Sequence, residues 1–148
     1  MLPTPDPPRL SSPRHTAPAA RHPRLRNAVA GGFVLAGLLH FVAFDFYAAQ
    51  VPAAAGHAGF WVVLTGVCEI AGGLGLWWRP ARRAAAAGLT LLLLGFLWVH
   101  VGHLFDPPVF AGRTVPGGVL VTRVPLQFVL IWLVRRAAAE YPPAGSSV

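Results

Sequence analysis

The chain alternates between long apolar stretches and short breaks rich in Pro and Gly. Four stretches stand out: "NAVAGGFVLAGLLHFVAFDFYAA", "HAGFWVVLTGVCEIAGGLGLWW", "RRAAAAGLTLLLLGFLWVHVGHLF" and "VLVTRVPLQFVLIWLVRRAAAEY". Each is helix-length, and about twenty apolar residues cross roughly 30 Å of hydrocarbon. Between them lie "QVPAAAG", "RPA" and "DPPVFAGRTVPGG", where Pro and Gly stop helices and permit turns. Strands of a membrane barrel would alternate apolar and polar residues, whereas these runs are continuous. Short connections force sequential helices to lie antiparallel. The pattern therefore predicts an all-α integral membrane protein, a four-transmembrane-helix antiparallel bundle in one domain over residues 27–140.

Ahead of it, residues 1–26 carry seven prolines and few hydrophobes, so a disordered Pro/Arg-rich tail is expected there. Residues 141–148 read as a short C-terminal tail. The Arg-rich segment before the first run resembles a signal peptide, with "VPAAAG" as its cleavage site. The run from Ala28 to Ala48 is longer than a usual signal h-region, which makes it a span instead.

Composition agrees with a membrane setting. The 148 residues are 55% hydrophobic and 11% charged, with mean hydropathy +0.56, too apolar for an ordinary soluble domain. The net charge of +7 comes from twelve arginines and no lysine against five acids. Those arginines punctuate apolar runs and share no polar face, so nucleic acid is not an expected partner. An Arg-only, Ala-rich chain fits a GC-rich bacterial genome. A single cysteine, Cys68, excludes an intramolecular disulfide and a cysteine-built metal site, and reads as a small core residue.

The arginines also set orientation, because positive residues beside short loops stay cytoplasmic. Arg9, Arg14, Arg21, Arg24 and Arg26 precede the first run. Arg79, Arg82 and Arg83 separate the second and third, and Arg135 and Arg136 end the fourth. The opposite loops carry only Arg113. Both termini are thus expected on the cytoplasmic side. Trp61, Trp77, Trp78, Trp98 and Trp132 fall towards run ends, where indole prefers the interface.

Inside the runs, polar residues converge in depth and in direction. His40 lies past the middle of the first helix and Glu69 near the middle of the second. His100 and His103 lie in the last turns of the third, and Arg123 and Gln127 in the first turns of the fourth. Glu69 shares a face with Thr65, Gly66, Gly72 and Gly73, and His40 with Val29, Phe33, Ala36, Gly37 and Phe44. Gly88, Gly95 and Gly102 mark an expected close-packing seam on the third helix. A lipid-facing charge is costly, so these groups are expected to face the interior, with Arg123 neutralising Glu69 and the histidines and Gln127 hydrogen-bonding it. Such a cluster either fixes helix register or handles a ligand or proton. His15, His22 and His57 fall outside the apolar cores and read as solvated, and Asp45 as reaching interfacial water.

The runs "GLLHF", "TGVCEIAGGLGLWWRPARRAAAAGL" and "TRVPLQFVLIWLVRR", in this order, resemble the DoxX family of small bacterial membrane proteins over about residues 26–136. The marks are His40 with Phe41, the block around Glu69, and Arg123, Pro125 and Gln127. Where relatives often end the third helix with a Pro-Ala-Asn motif, this chain has "LWVHVGHLF". The resemblance implies the four-helix fold, a multi-pass place in the bacterial cytoplasmic (inner) membrane, and an association with thiosulfate:quinone oxidoreductase chemistry.

Several chemistries fit the residue types. A quinone has carbonyls that accept hydrogen bonds from imidazole, guanidinium or amide, and its reduction needs protons that Glu69 or a histidine can relay. No residue pattern supplies electrons, so such a protein would be at most the membrane subunit of an oxidoreductase, served by a redox partner protein. A metal would draw on His100, His103, His40 and Glu69, but Arg123 beside a cation is unfavourable. Haem needs paired histidines on facing helices and not an acid between them. Neither metal nor haem is expected. The alternative class is a non-catalytic membrane scaffold or assembly partner whose Glu/Arg/His cluster is structural.

Overall fold

The computed structural model describes residues 22–139. Its elements are α1 (Pro23–Val42), α2 (Phe44–Ala48), α3 (Ala58–Trp77), α4 (Arg82–Gly102), a hairpin of β1 (Val109–Phe110) and β2 (Arg113–Thr114), and α5 (Gly117–Ala138). Turns of 3-10 helix at Ala53–Ala55 and Arg79–Ala81 precede α3 and α4. α1, α3, α5 and α4 with the turn before it are long and apolar enough to cross a membrane. The predicted all-α membrane bundle is the architecture found.

Two boundaries differ from expectation. α1 begins at Pro23, inside the stretch expected as tail. Proline at the first helical position is pre-organised, and Arg24, Leu25 and Arg26 are strong helix formers. The rest of both expected tails lies outside the described residues. The first apolar run also breaks before its end, where Ala43 leaves the helical region at φ −110° and the chain restarts as α2. The loop after α4 holds the hairpin, whose turn residues Ala111 and Gly112 both have positive φ, as a tight twist-matched hairpin turn requires.

Each helix packs against the next in the chain, and α1 also meets α5, closing the bundle. The antiparallel register of α1 on α3 is fixed by glycine. A Cβ at Gly37 would stand 2.6 Å from the Gly66 carbonyl oxygen, and one at Gly73 would stand 2.7 Å from that of Ala30. The two backbones therefore touch directly, as small residues permit in lipid. On its other side α3 lays Gly72 against Leu89 and Gly75 against Ala85 of α4. Gly88, Gly95 and Gly102 do not form the expected seam. Nothing lies within 4 Å of a Cβ at any of them, because α4 turns the opposite face, with Leu89 and Leu93, inward. Cys68 is likewise exposed and not a core residue, since it lies about 100° from Glu69 around α3.

The interior is divided along the bundle axis. Ala30, Phe33, Leu76, Ala86, Leu89, Leu93 and Val134 form one apolar core towards the end where α1 begins, here the arginine end. His40 and His103 are buried towards the other, the hairpin end, with Glu69 and Gln127 buried near the middle of their helices and Arg82 buried at the arginine end, donating to the Leu76 carbonyl oxygen. The outside is clad in large apolar side chains, among them Leu35, Leu91, Trp98 and Phe128. Water would penalise so continuous an apolar surface, and lipid does not, so the chain contacts the bilayer as a multi-pass membrane protein.

Candidate functional site

The polar residues of the hairpin end form two groups joined by the segment after α2. In the first, Nδ1 of His40 lies 3.4 Å from Oε2 of Glu69, with both side chains 6% exposed. His40 Nδ1 also contacts the Ala36 carbonyl oxygen at 3.0 Å. A carbonyl only accepts, so this nitrogen carries the hydrogen and donates it to Ala36. Glu69 Oε2 is left close to His40 but without a hydrogen-bond partner. Tyr47, on α2, stacks its ring on His40 with centroids 3.8 Å apart. Burial first, then the Glu69 charge, push the Tyr47 phenol above its ordinary value, so it stays protonated at neutral pH.

The second group centres on Gln50. Its backbone carbonyl accepts from His103 Nε2 at 2.9 Å, and its side-chain Oε1 accepts from Arg123 Nη1 at 2.9 Å. Gln50 thereby ties the α2 segment to α4 and α5. His100 and His103 lie with ring centroids 6.4 Å apart. Three buried atoms here have no partner: Gln50 Nε2, His100 Nδ1 and His103 Nδ1.

The expected pairing of Glu69 with Arg123 is not formed. Among the described residues, the contact of Glu69 within ion-pair distance is His40, and the side-chain partner of Arg123 is Gln50. Side-chain lean explains the difference. Every helical Cβ tilts towards its own N-terminus, so His40 on α1 leans towards the arginine end while Glu69 on antiparallel α3 leans towards the hairpin end, and they meet. α5 runs in the same direction as α3. Arg123 leans the way Glu69 leans, so side-chain lean does not bring the two together.

Gln127 is also placed differently from expectation. It is 3% exposed and donates from Nε2 to the Leu93 carbonyl oxygen at 2.8 Å, which fastens α5 to α4 and leaves Glu69 unserved. His40, His100, His103 and Arg123 lie towards the hairpin end, and Glu69 and Gln127 near the middle of their helices. The sequence reading missed Tyr47 and Gln50. Their only sign was a polar or amphipathic residue just beyond the first span, which reads equally well as an interfacial group.

These groups can hold and exchange a proton. The carboxyl of Glu69 lies beside the imidazole of His40, the ring of Tyr47 stacks on that imidazole, and the unpartnered atoms supply both donors and acceptors. As ligands for a metal they are scattered: among the described residues no three His, Cys, Asp or Glu side chains are grouped to hold one ion. Two cavities lie elsewhere. One is bounded by Ala55, His57, Gly59, Phe60 and Trp61, and the other by His22, Trp132, Arg135, Arg136 and Ala139.

Fold and site together define a four-helix membrane protein with a partly unsatisfied polar cluster in its interior. Residues 29–138 match the family described as a domain of unknown function, DUF8561, and the chain belongs to that family. No curated protein and no solved structure matches it.

Proposed function

We propose that this chain is a DoxX-like membrane subunit of a quinone-linked redox system. It sits in the bacterial cytoplasmic membrane with both termini cytoplasmic and takes a quinone headgroup at the polar cluster of the hairpin end. The observation that supports this reading most is the set of four buried polar atoms without partners: Glu69 Oε2, Gln50 Nε2, His100 Nδ1 and His103 Nδ1. Each such orphan costs about 1 to 3 kcal/mol, a cost a purely structural cluster would have no reason to carry. An amide N–H donor and basic ring nitrogens suit the oxygens of a quinone and of its quinol, respectively. Reduction of a quinone to its quinol takes up two electrons and two protons. A partner protein supplies the electrons, and Glu69, His40 and Tyr47 move the protons.

One observation favours a second reading. His40, Arg123 and Gln127 each already have a partner within the protein, in Ala36, Gln50 and Leu93. A closed cluster would serve a scaffold whose polar contacts only fix helix register. Titration of the purified protein with decylubiquinone by calorimetry separates the two. The quinone reading expects saturable binding of the quinone and of its quinol, and Glu69→Gln should weaken the quinol, whose hydroxyl donates to the carboxylate, about tenfold, the worth of one charge-assisted hydrogen bond, with the thermal midpoint unchanged. No binding to the wild-type protein leaves the scaffold reading standing.

A further inference from the structure

The arginine end of the bundle holds a second site, independent of the polar cluster. His22, at the N-cap of α1, and Trp132, Arg135, Arg136 and Ala139, at the end of α5, bound a cavity of about 250 Å³. α1 and α5 are neighbours in the closed bundle, so the cavity joins its first and last spans. Two buried polar atoms have no partner here: Nε2 of His22 itself and Nε of Arg26, one turn along α1. The first turn of α1 has no side-chain cap, so its free N–H groups add the positive end of a helix dipole to the same place.

Among the described residues no acid lies at this end to balance the charge. The acids among the described residues are Asp45 on α2, Glu69 in the middle of α3 and Asp106 beyond α4, none of them at this end. Glu140 follows Ala139 in sequence and lies outside the described residues. The guanidinium of Arg136 lies 5.5 Å from the Trp132 ring centroid, a Trp–Arg pairing suited to the depth of lipid headgroups. The cavity is therefore cationic, bounded by His22 with its unpartnered Nε2, and set at the ends of two helices long and apolar enough to cross a membrane.

We propose that it binds the phosphate of an anionic glycerophospholipid, clamped between the start of α1 and the end of α5. The Arg135 and Arg136 guanidinium groups take the phosphate oxygens, Trp132 lies along the glycerol and upper acyl region, and His22 donates from the α1 side.

Native mass spectrometry of the purified protein in mild detergent, with phosphatidylglycerol or phosphatidylcholine added, tests this. Phosphatidylglycerol adducts should persist on the wild-type protein and phosphatidylcholine adducts should be sparse. The double variant R135Q/R136Q should bind phosphatidylglycerol roughly 25-fold more weakly, at about fivefold per arginine. R135K/R136K keeps the charge and should retain the lipid. R83Q removes an exposed arginine at the same end and should change nothing. If R135Q/R136Q does not purify, R135Q alone should show the fivefold loss. Equal adducts of the two lipids, or undiminished binding to the glutamine variants, would overturn the proposal. Displacement of phosphatidylglycerol by millimolar inorganic phosphate would also overturn it, by making soluble phosphate the occupant.

Discussion

His40 and Glu69 approach to 3.4 Å across the α1–α3 contact, and this is where a buried ionisable group of each of the first two spans meets the other. The contact depends on opposed side-chain lean in antiparallel helices, so it is a property of the register and not of the residues alone. Removing His40 alone strands a carboxyl group in an apolar interior. H40L is expected to destabilise the protein by about 3 kcal/mol or more, and H40L/E69L by clearly less, because the stranded group goes with its partner. Thermal unfolding of the four members of the cycle in detergent measures this. Simple additivity of the two single changes would contradict the pairing.

The glycines of the chain divide into two kinds, and alanine substitution should expose the division. G37A and G73A drive a Cβ to within 2.7 Å of backbone oxygen on the facing helix and should cost about 1 to 3 kcal/mol. G88A and G95A meet nothing within 4 Å and should be neutral or gain up to about 1 kcal/mol of helix propensity. The reverse ranking of thermal midpoints would mean that α4 and not α1 is packed through its glycines.

Acidification should loosen the hairpin end. Burial first, with Arg123 adding to it, holds His103 below its ordinary value of 6.5, although the Gln50 carbonyl and Asp106 pull the other way. The unfolded chain therefore takes up this proton more readily than the folded one. The contribution of His103 is present above its ordinary value and is lost as pH falls through and below it. Melting curves between about pH 7.5 and 5 should show the midpoint falling, and His103→Gln should flatten the fall. Parallel curves for the two proteins would rule the residue out.

Orientation can be read from Ala54, exposed in the turn between α2 and α3. In a background with Cys68 replaced by alanine, Ala54→Cys should react with an impermeant maleimide only from the non-cytoplasmic side. Labelling from the cytoplasmic side alone would invert the proposed topology.

The spans and their inward faces were legible because each has its own physical signature. Span length follows from bilayer thickness, and the buried Phe33, Gly37 and His40, or Gly66, Glu69 and Gly73, recur at helical spacing. The partners of the polar groups were less legible. Depth counted in residues places Cα atoms, while the contact between Glu69 and His40 is decided by where side chains lean. Tyr47 and Gln50 belong to a five-residue helix and the turn after it, too short for any periodicity to declare a face. The glycines of α4 misled for another reason. In lipid both the packed and the exposed face of a helix are apolar, so small residues alone do not say which face is inward.

The bare-backbone contact of α1 with α3 bears on how the protein is made. Synthesis proceeds from the N-terminus, so α1 is already in the membrane when α3, with Glu69 at its centre, arrives. Its seat is ready: Gly37 and Ala30 receive Gly66 and Gly73, and His40 waits at the level to which the carboxyl leans. The most expensive group in the hydrocarbon is thus sheltered by a helix translated before its own. α4 and α5, which carry no buried acid, are left to close over a carboxyl that already has an imidazole beside it.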